Sequence, residues 1–142
     1  MDQIISLRLI SRADTCGVQV LPGSEYEQRL EISQDGKIHF EAYGYSDGTT
    51  CCPHPQSRKA DLVLSTEVAA LLMRAAASVA AQGEGPAPHS GYWQMNLNFD
   101  AGFPIKITAP FAADCGGPTD AFCALARRCL PLPGLMLLDG GV

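Results

Sequence analysis

Residues 29–41, RLEISQDGKIHFE, carry the clearest signal of the fold in this sequence. On both sides of the short polar link QDG, apolar and polar side chains alternate, which is typical of two strands that each have one buried face. A two-residue turn at Asp35-Gly36 would pair Ile32 with His39 and would therefore mix the two faces. A three-residue loop with the glycine in the left-handed bulge position keeps the faces separate, so this is the register that we predict. The predicted cross-strand pairs are Ile32 with Ile38 and Leu30 with Phe40 on the apolar face, and Arg29 with Glu41 and Glu31 with His39 on the polar face.

A second segment, residues 93–108, repeats this pattern as WQMNLNF, DAG and FPIKIT. The same three-residue loop, with Gly102 last, again gives one wholly apolar face, on which Trp93 also lies. Pro104 has no N–H group to donate, so its strand should lie at an edge of the sheet or be irregular there. The predicted pairs are Phe99 with Phe103, Leu97 with Ile105 and Met95 with Ile107.

Two amphipathic helices are expected, one after each hairpin. Ser65 is a suitable N-cap for the first helix, which should end near Gln82-Gly83. Pro118 suits the start of the second helix, and Pro131 and Pro133 should end it. The expected apolar stripes are Val68, Leu71, Leu72, Ala75 and Val79 on the first helix, and Phe122, Leu125, Ala126 and Cys129 on the second.

An earlier strand at residues 4–10, with Ile5, Leu7 and Leu9 on one side, completes the order β-ββ-α-ββ-α. We therefore predict one α+β domain over residues 1–142. It should be a two-layer sandwich in which a mostly antiparallel sheet of about five strands carries both helices on one face. The tail from Leu135 to Leu138 is either a short last strand or an apolar flap.

Charge and hydropathy restrict the classes of function. The formal net charge is −5 and Lys and Arg are scattered along the chain, so we expect no nucleic-acid partner. The first residues lack a signal-peptide pattern, and the longest weakly polar stretch, residues 68–81, is too short for a bilayer span and contains Arg74. We expect a cytoplasmic protein with no membrane contact, whose six cysteines are free thiols.

The polar face of the predicted sheet is the first candidate for a binding surface. It carries a row of amides, which strands rarely contain unless polar side chains are needed there. The alternative is an ordinary solvated face, which antiparallel sheets often have. With the loop that follows Tyr43, this surface supplies the candidate binding residues Arg8, His39, Glu41, Tyr43, Tyr45, Gln94, Asn96 and Asn98, and the same face carries Arg29, Glu31, Lys106 and Thr108.

Residues 43–55, YGYSDGTTCCPHP, bring two thiols and an imidazole close together in the sequence. Cys51, Cys52 and His54 could bind zinc, with Cys16 or Cys115 as the fourth ligand. Adjacent cysteines have an awkward geometry for a single ion, so ordinary thiols are the alternative.

Cys115 stands just before the second helix, whose N-terminus could lower the pKa of the thiol. His54 or His89 could then act as its base. The alternative is a cysteine with a purely structural role.

No catalytic constellation is recognisable in these patterns. We therefore expect a non-catalytic binding domain that acts through contact with another protein or with a second copy of itself. An adaptor or a stoichiometric inhibitor, such as mobile elements encode, is one form of this. The alternatives are a zinc- or thiol-based module centred on Cys51, Cys52 and His54, and a small cysteine-dependent enzyme that uses Cys115.

Overall fold

The computed structural model describes residues 3–13, 25–44, 56–82, 91–112 and 116–140. Within these ranges, six strands form one antiparallel sheet in the order β4-β3-β2-β1-β5-β6, and two helices accompany it. The predicted α+β class is confirmed, with six strands in place of about five. The elements are β1 Ile4–Ala13, β2 Glu25–Ser33, β3 Lys37–Gly44, β4 Gln56–Val63, α1 Thr66–Ala80, β5 Gly91–Phe99, β6 Ile105–Pro110 and α2 Pro118–Cys129.

Both hairpins have the predicted register. Strands β2 and β3 pair Ile32 with Ile38 and Leu30 with Phe40, and β5 and β6 pair Leu97 with Ile105. The glycines that end the two loops have positive φ angles, +91° at Gly36 and +87° at Gly102, as the bulge position requires. Strand β6, which follows Pro104, lies at an edge of the sheet as predicted.

Strand β4, at the other edge, is the element that the sequence did not predict. It pairs with β3 and feeds directly into α1. Its apolar signal is weak, because Ala60 and Leu62 alternate with Lys59 and Asp61 and are only partly buried. The alternation is nevertheless present in residues 58–64, and it was the signal that could have identified the strand.

The apolar face is interrupted at two places near the hairpin loops. The pairing of β1 with β5 shifts between Ile4 and Ser6, so that Ile4 packs against the core and Ile5 points outward. The prediction that Ile5 lies with Leu7 was therefore wrong. Phe103 is 93% exposed and precedes the first residue of β6, so the predicted apolar pairing of Phe103 with Phe99 was wrong as well.

Helix α1 begins where it was predicted, since Ser65 Oγ accepts a hydrogen bond from the Val68 N–H at 3.2 Å. Its buried stripe is rotated by about one residue from the predicted one, and Leu71 is 45% exposed. The helix lies against both α2 and β1, so the stripe turns to face two neighbours rather than one. The buried residues are Ala69, Leu72, Met73, Ala76 and Val79.

Helix α2 starts at Pro118 and ends before Pro131, as predicted. The cysteine that it buries is Cys123, which is 2% exposed, and the prediction of a core role for Cys129 was wrong because that side chain is only half-buried. Neither helix, and no other in the described ranges, is long and apolar enough to cross a membrane. Both helices and one face of the sheet enclose a single hydrophobic core.

Residues 130–140, here called the C-terminal strap, follow α2 and close one end of that core. The stretch from Leu135 to Leu138 is fully buried and forms no strand, so it is the apolar flap of the two predicted alternatives. Arg58 on β4 donates to the Pro133 carbonyl at 2.6 Å, and Ser11 on β1 donates to the Leu137 carbonyl at 2.8 Å. The strap therefore crosses the strand ends and ties them together.

Candidate functional site: the open sheet face

Seven of the eight predicted binding residues lie on the sheet face opposite the helices, here called the open sheet face. Strand alternation separates them from the core residues at every position. Tyr45 lies outside the described residues. The predicted members that the structure places on this face are Arg8, His39, Glu41, Tyr43, Gln94, Asn96 and Asn98.

The strand register arranges these side chains in rows that cross the sheet from β4 to β6. Residues of one row are direct cross-strand neighbours, with Cβ atoms about 5 Å apart. One row is Asp61, His39, Glu31, Arg8, Asn96 and Lys106. The next is Lys59, Glu41, Arg29, Ile10, Gln94 and Thr108.

A cluster of one histidine and two carboxylates lies near the β4 edge. His39 Nδ1 is 2.6 Å from Asp61 Oδ1, and His39 Nε2 is 3.0 Å from Glu41 Oε1. The Tyr43 hydroxyl donates to the other oxygen of Glu41 at 2.8 Å. A depression of about 430 Å³ lies beside this cluster.

Only the protonated imidazole can donate to both carboxylates at once. The hydrogen bond to Asp61, and to a smaller extent the hydrogen bond to Glu41, therefore raises the pKa of His39. The hydrogen bonds from His39 and from Tyr43 lower the pKa of Glu41. Asp61 was not among the predicted site residues, because β4 was not predicted and Asp61 is 22 positions from His39 in the chain.

We expect the His39 imidazole to titrate above the ordinary value of about 6.5. The stabilisation that protonated His39 provides should be fully present below about pH 6.5. It should be lost as the pH rises through the raised pKa of His39 in the folded protein. The gain should stay below about 1 kcal/mol, because Asp61 is largely exposed to water. NMR titration of the ring protons measures the midpoint.

The variant Asp61→Asn should lower that midpoint, because it removes the carboxylate that raises the pKa of His39 most. Asp100→Asn, in the loop between β5 and β6, is the matched control and should leave the midpoint unchanged. An unshifted midpoint in Asp61→Asn would mean that the two side chains do not interact in solution.

A second cluster is built around Glu27, which is only 5% exposed although it lies on the open sheet face. Its carboxylate is 2.5 Å from Arg29 Nε and 3.4 Å from Arg12 Nε. The Arg29 guanidinium lies 4.9 Å from the centroid of the Tyr43 ring, a cation–π distance. One buried carboxylate thus holds two arginines. The Arg12 side chain remains 48% exposed and the Arg29 side chain 41% exposed.

The Arg12 side chain is held by aromatic residues as well. Its guanidinium lies 5.5 Å from the centroid of the Tyr26 ring, and a hydrogen bond with Tyr92 raises the pKa of Arg12. We call Arg12, Arg29, Tyr26, Tyr43 and Tyr92, together with Glu27, the Arg–Tyr cluster.

Most residues of the Arg–Tyr cluster were not predicted, because the predicted strands were too short. Strand β1 continues past Ile10 to Ala13, and β2 begins at Glu25 rather than at Arg29. Arg12 keeps the two-residue spacing from Arg8 that puts both on one face, and this spacing could have identified it.

The proposed zinc ligands Cys51, Cys52 and His54 lie outside the described residues, as do Cys16, Cys115 and His89. Within the described ranges, no group of three or more His, Cys, Asp or Glu side chains could hold a metal ion. Burial raises the pKa of the Cys123 thiol to about 11, so that thiol is protonated and unreactive at neutral pH.

No protein-family model matches this sequence, and no curated protein is similar to it.

Proposed function

We propose that this protein is a non-catalytic binding domain and that the open sheet face is its contact surface for another protein. The observation that carries the proposal is the Arg–Tyr cluster, in which a buried carboxylate orients two half-exposed arginines among tyrosine rings. Arg and Tyr are the residue types, with Trp, that contribute most to binding energy at protein interfaces.

The cluster is held in place before any partner arrives. Fixing a long side chain on binding costs roughly 0.5–1.5 kcal/mol. Arg12 and Arg29 are already constrained by Glu27 and by stacking on tyrosines, so a large part of that cost is met in folding. A sheet face that is only solvated has no need for a buried carboxylate that orients exposed cations.

An adaptor or a stoichiometric inhibitor would use such a surface, and a second copy of the chain could occupy it in a homodimer. We place this activity in the cytoplasm and do not propose a nucleic-acid partner. The cysteine-based alternatives depend on Cys51, Cys52, His54 and Cys115, and they stay predictions from the sequence.

A photo-crosslinking amino acid placed at Gln94 tests the proposal in cells that produce the protein. Gln94 lies on the open sheet face, and Ala121, an exposed residue of α2, is the matched control position. We expect one protein partner, or the chain itself, to be captured from Gln94 and not from Ala121. No capture from Gln94, equal capture from both positions, or capture from Ala121 alone would contradict the proposal.

With the captured partner in hand, Arg29→Ala should weaken its binding roughly ten-fold or more, which is the effect of losing a hot-spot side chain. Arg29→Lys keeps the charge but loses the planar group over Tyr43, so it should recover only part of the affinity. Arg74→Ala, on the exposed side of α1, is the control and should bind as the wild type does. Isothermal titration calorimetry gives the three dissociation constants.

A further inference from the structure

The two halves of the open sheet face differ in charge. Strands β2, β3 and β4 carry all four of its carboxylates, whereas the described residues of β1, β5 and β6 carry none on this face. The second half presents cations and amides instead. Its main members, here called the basic half-face, are Arg8, Arg12, Gln94, Asn96, Lys106 and Thr108.

The whole open sheet face is positive although the chain is acidic. Among the described residues, this face carries six of the ten Lys and Arg but four of the ten Asp and Glu, so the formal charge of its described side chains is +2, whereas the full chain has a net charge of −5. Charge of this sign concentrated on one surface steers a partner with complementary charge towards it.

The centre of the basic half-face is the row formed by Arg8, Asn96 and Lys106. Cross-strand pairing sets Asn96 directly between the two cations. Lys106 is exposed, and no ion pair among the described residues involves it. Arg8 is 3.5 Å from Glu31, and both side chains are about half exposed, so this pair can exchange for another carboxylate.

The buried amide oxygen of Asn96 favours a peptide ligand over a phosphate ligand, because this oxygen needs a hydrogen-bond donor. This Oδ1 atom is shielded from water and has no hydrogen-bond donor in the described part of the chain. A buried acceptor without a donor is unfavourable, because it has lost its hydrogen bonds to water and gained none in the protein. A peptide backbone offers N–H donors, whereas the phosphodiester oxygens of a nucleic-acid backbone can only accept.

From these observations we infer that the partner presents an extended acidic peptide segment to the basic half-face, with carboxylates on Arg8 and Lys106 and a backbone N–H on Asn96. Because the Oδ1 atom is shielded from water, the peptide must displace neighbouring side chains to reach it. This inference rests on the proposed function, whose chemistry it specifies.

The test uses purified protein and a short fluorescein-labelled peptide of alternating Glu and Ser, followed by fluorescence polarisation. We expect saturable binding that weakens with added salt, because the contacts are between exposed charges. Lys106→Gln and Arg8→Gln should each weaken binding roughly three-fold, as exposed ion pairs do. Arg74→Gln removes an equivalent cation from α1 and should have no effect.

Three outcomes would overturn the inference: no saturable binding of the peptide, equal weakening by Arg74→Gln, or tighter binding of a single-stranded oligonucleotide of matched charge. The last would identify phosphate as the ligand chemistry. The proposed function fails separately, when crosslinking from Gln94 captures no protein. A captured partner combined with a peptide that does not bind would overturn only the inference about acidic segments.

Discussion

Replacing Gln28 by leucine should lower the free energy of unfolding by about 2–4 kcal/mol, because it leaves the buried Met136 N–H and the partly buried Gly134 carbonyl without their hydrogen-bond partner. Gln28 is 3% exposed and joins β2 to the C-terminal strap through both ends of its amide. Its Nε2 donates to the Gly134 carbonyl at 2.8 Å, and its Oε1 accepts from the Met136 N–H at 2.7 Å. Leucine fills a similar volume, so the loss reports the hydrogen bonds rather than a cavity.

Urea unfolding followed by circular dichroism measures this change. Gln34→Leu is the matched control, since the Gln34 side chain is exposed, and it should stay within about 0.5 kcal/mol of the wild type. In Gln28→Leu the Met136 amide should also exchange its hydrogen faster than the amides of β1, because the strap opens locally. Equal stability of the two variants would show that the strap is not held by this amide.

The second large effect is expected for Gly36→Ala, with a loss of about 3 kcal/mol or more from backbone strain and a steric clash combined. Gly36 has φ of +91°, and an added Cβ would stand 2.0 Å from the Leu64 carbonyl oxygen. The Leu64 N–H donates to the Gly36 carbonyl at 2.8 Å, so this loop is locked against the junction of β4 and α1. The alanine variant must shift that junction.

Gly116→Ala separates the two causes. Gly116 has φ of +90°, but its added Cβ would meet no atom within 4 Å, so the variant should lose only the conformational cost of about 1–2 kcal/mol. Thermal unfolding of both variants measures the two stability losses. The larger loss expected for Gly36→Ala reports the contribution of the steric clash with Leu64. Equal losses would mean that the loop moves away from Leu64 without cost.

Both sites affect the open sheet face indirectly. Gln28 follows Glu27 on β2, so the strap holds the strand that orients Arg12 and Arg29. Gly36 fixes the loop between β2 and β3, and the junction against it anchors β4, which supplies Asp61 to His39. We expect variants at either site to weaken partner binding only as far as they unfold the protein.

Much of the fold was predictable because its signals are local. The two hairpin registers follow from apolar alternation around Gly36 and Gly102, and Ser65 and Pro118 mark the helix starts within a few residues of chain. The candidate site was predicted as a surface: seven of the eight candidate binding residues, from Arg8 to Asn98, lie on the open sheet face. Their common face is a consequence of strand periodicity alone.

The class of fold, the register of both hairpins and the polar character of one sheet face therefore follow from local sequence patterns. Which polar residues act together depends on contacts that form only when the chain folds. The partners in question are far apart in the chain, as Gln28 and Met136 are by 108 positions, and no local pattern encodes such pairs. The ion pairs of Glu27 are a second example. Arg29 lies on the same strand as Glu27, but Arg12 lies on β1 and meets Glu27 only because β1 pairs with β2.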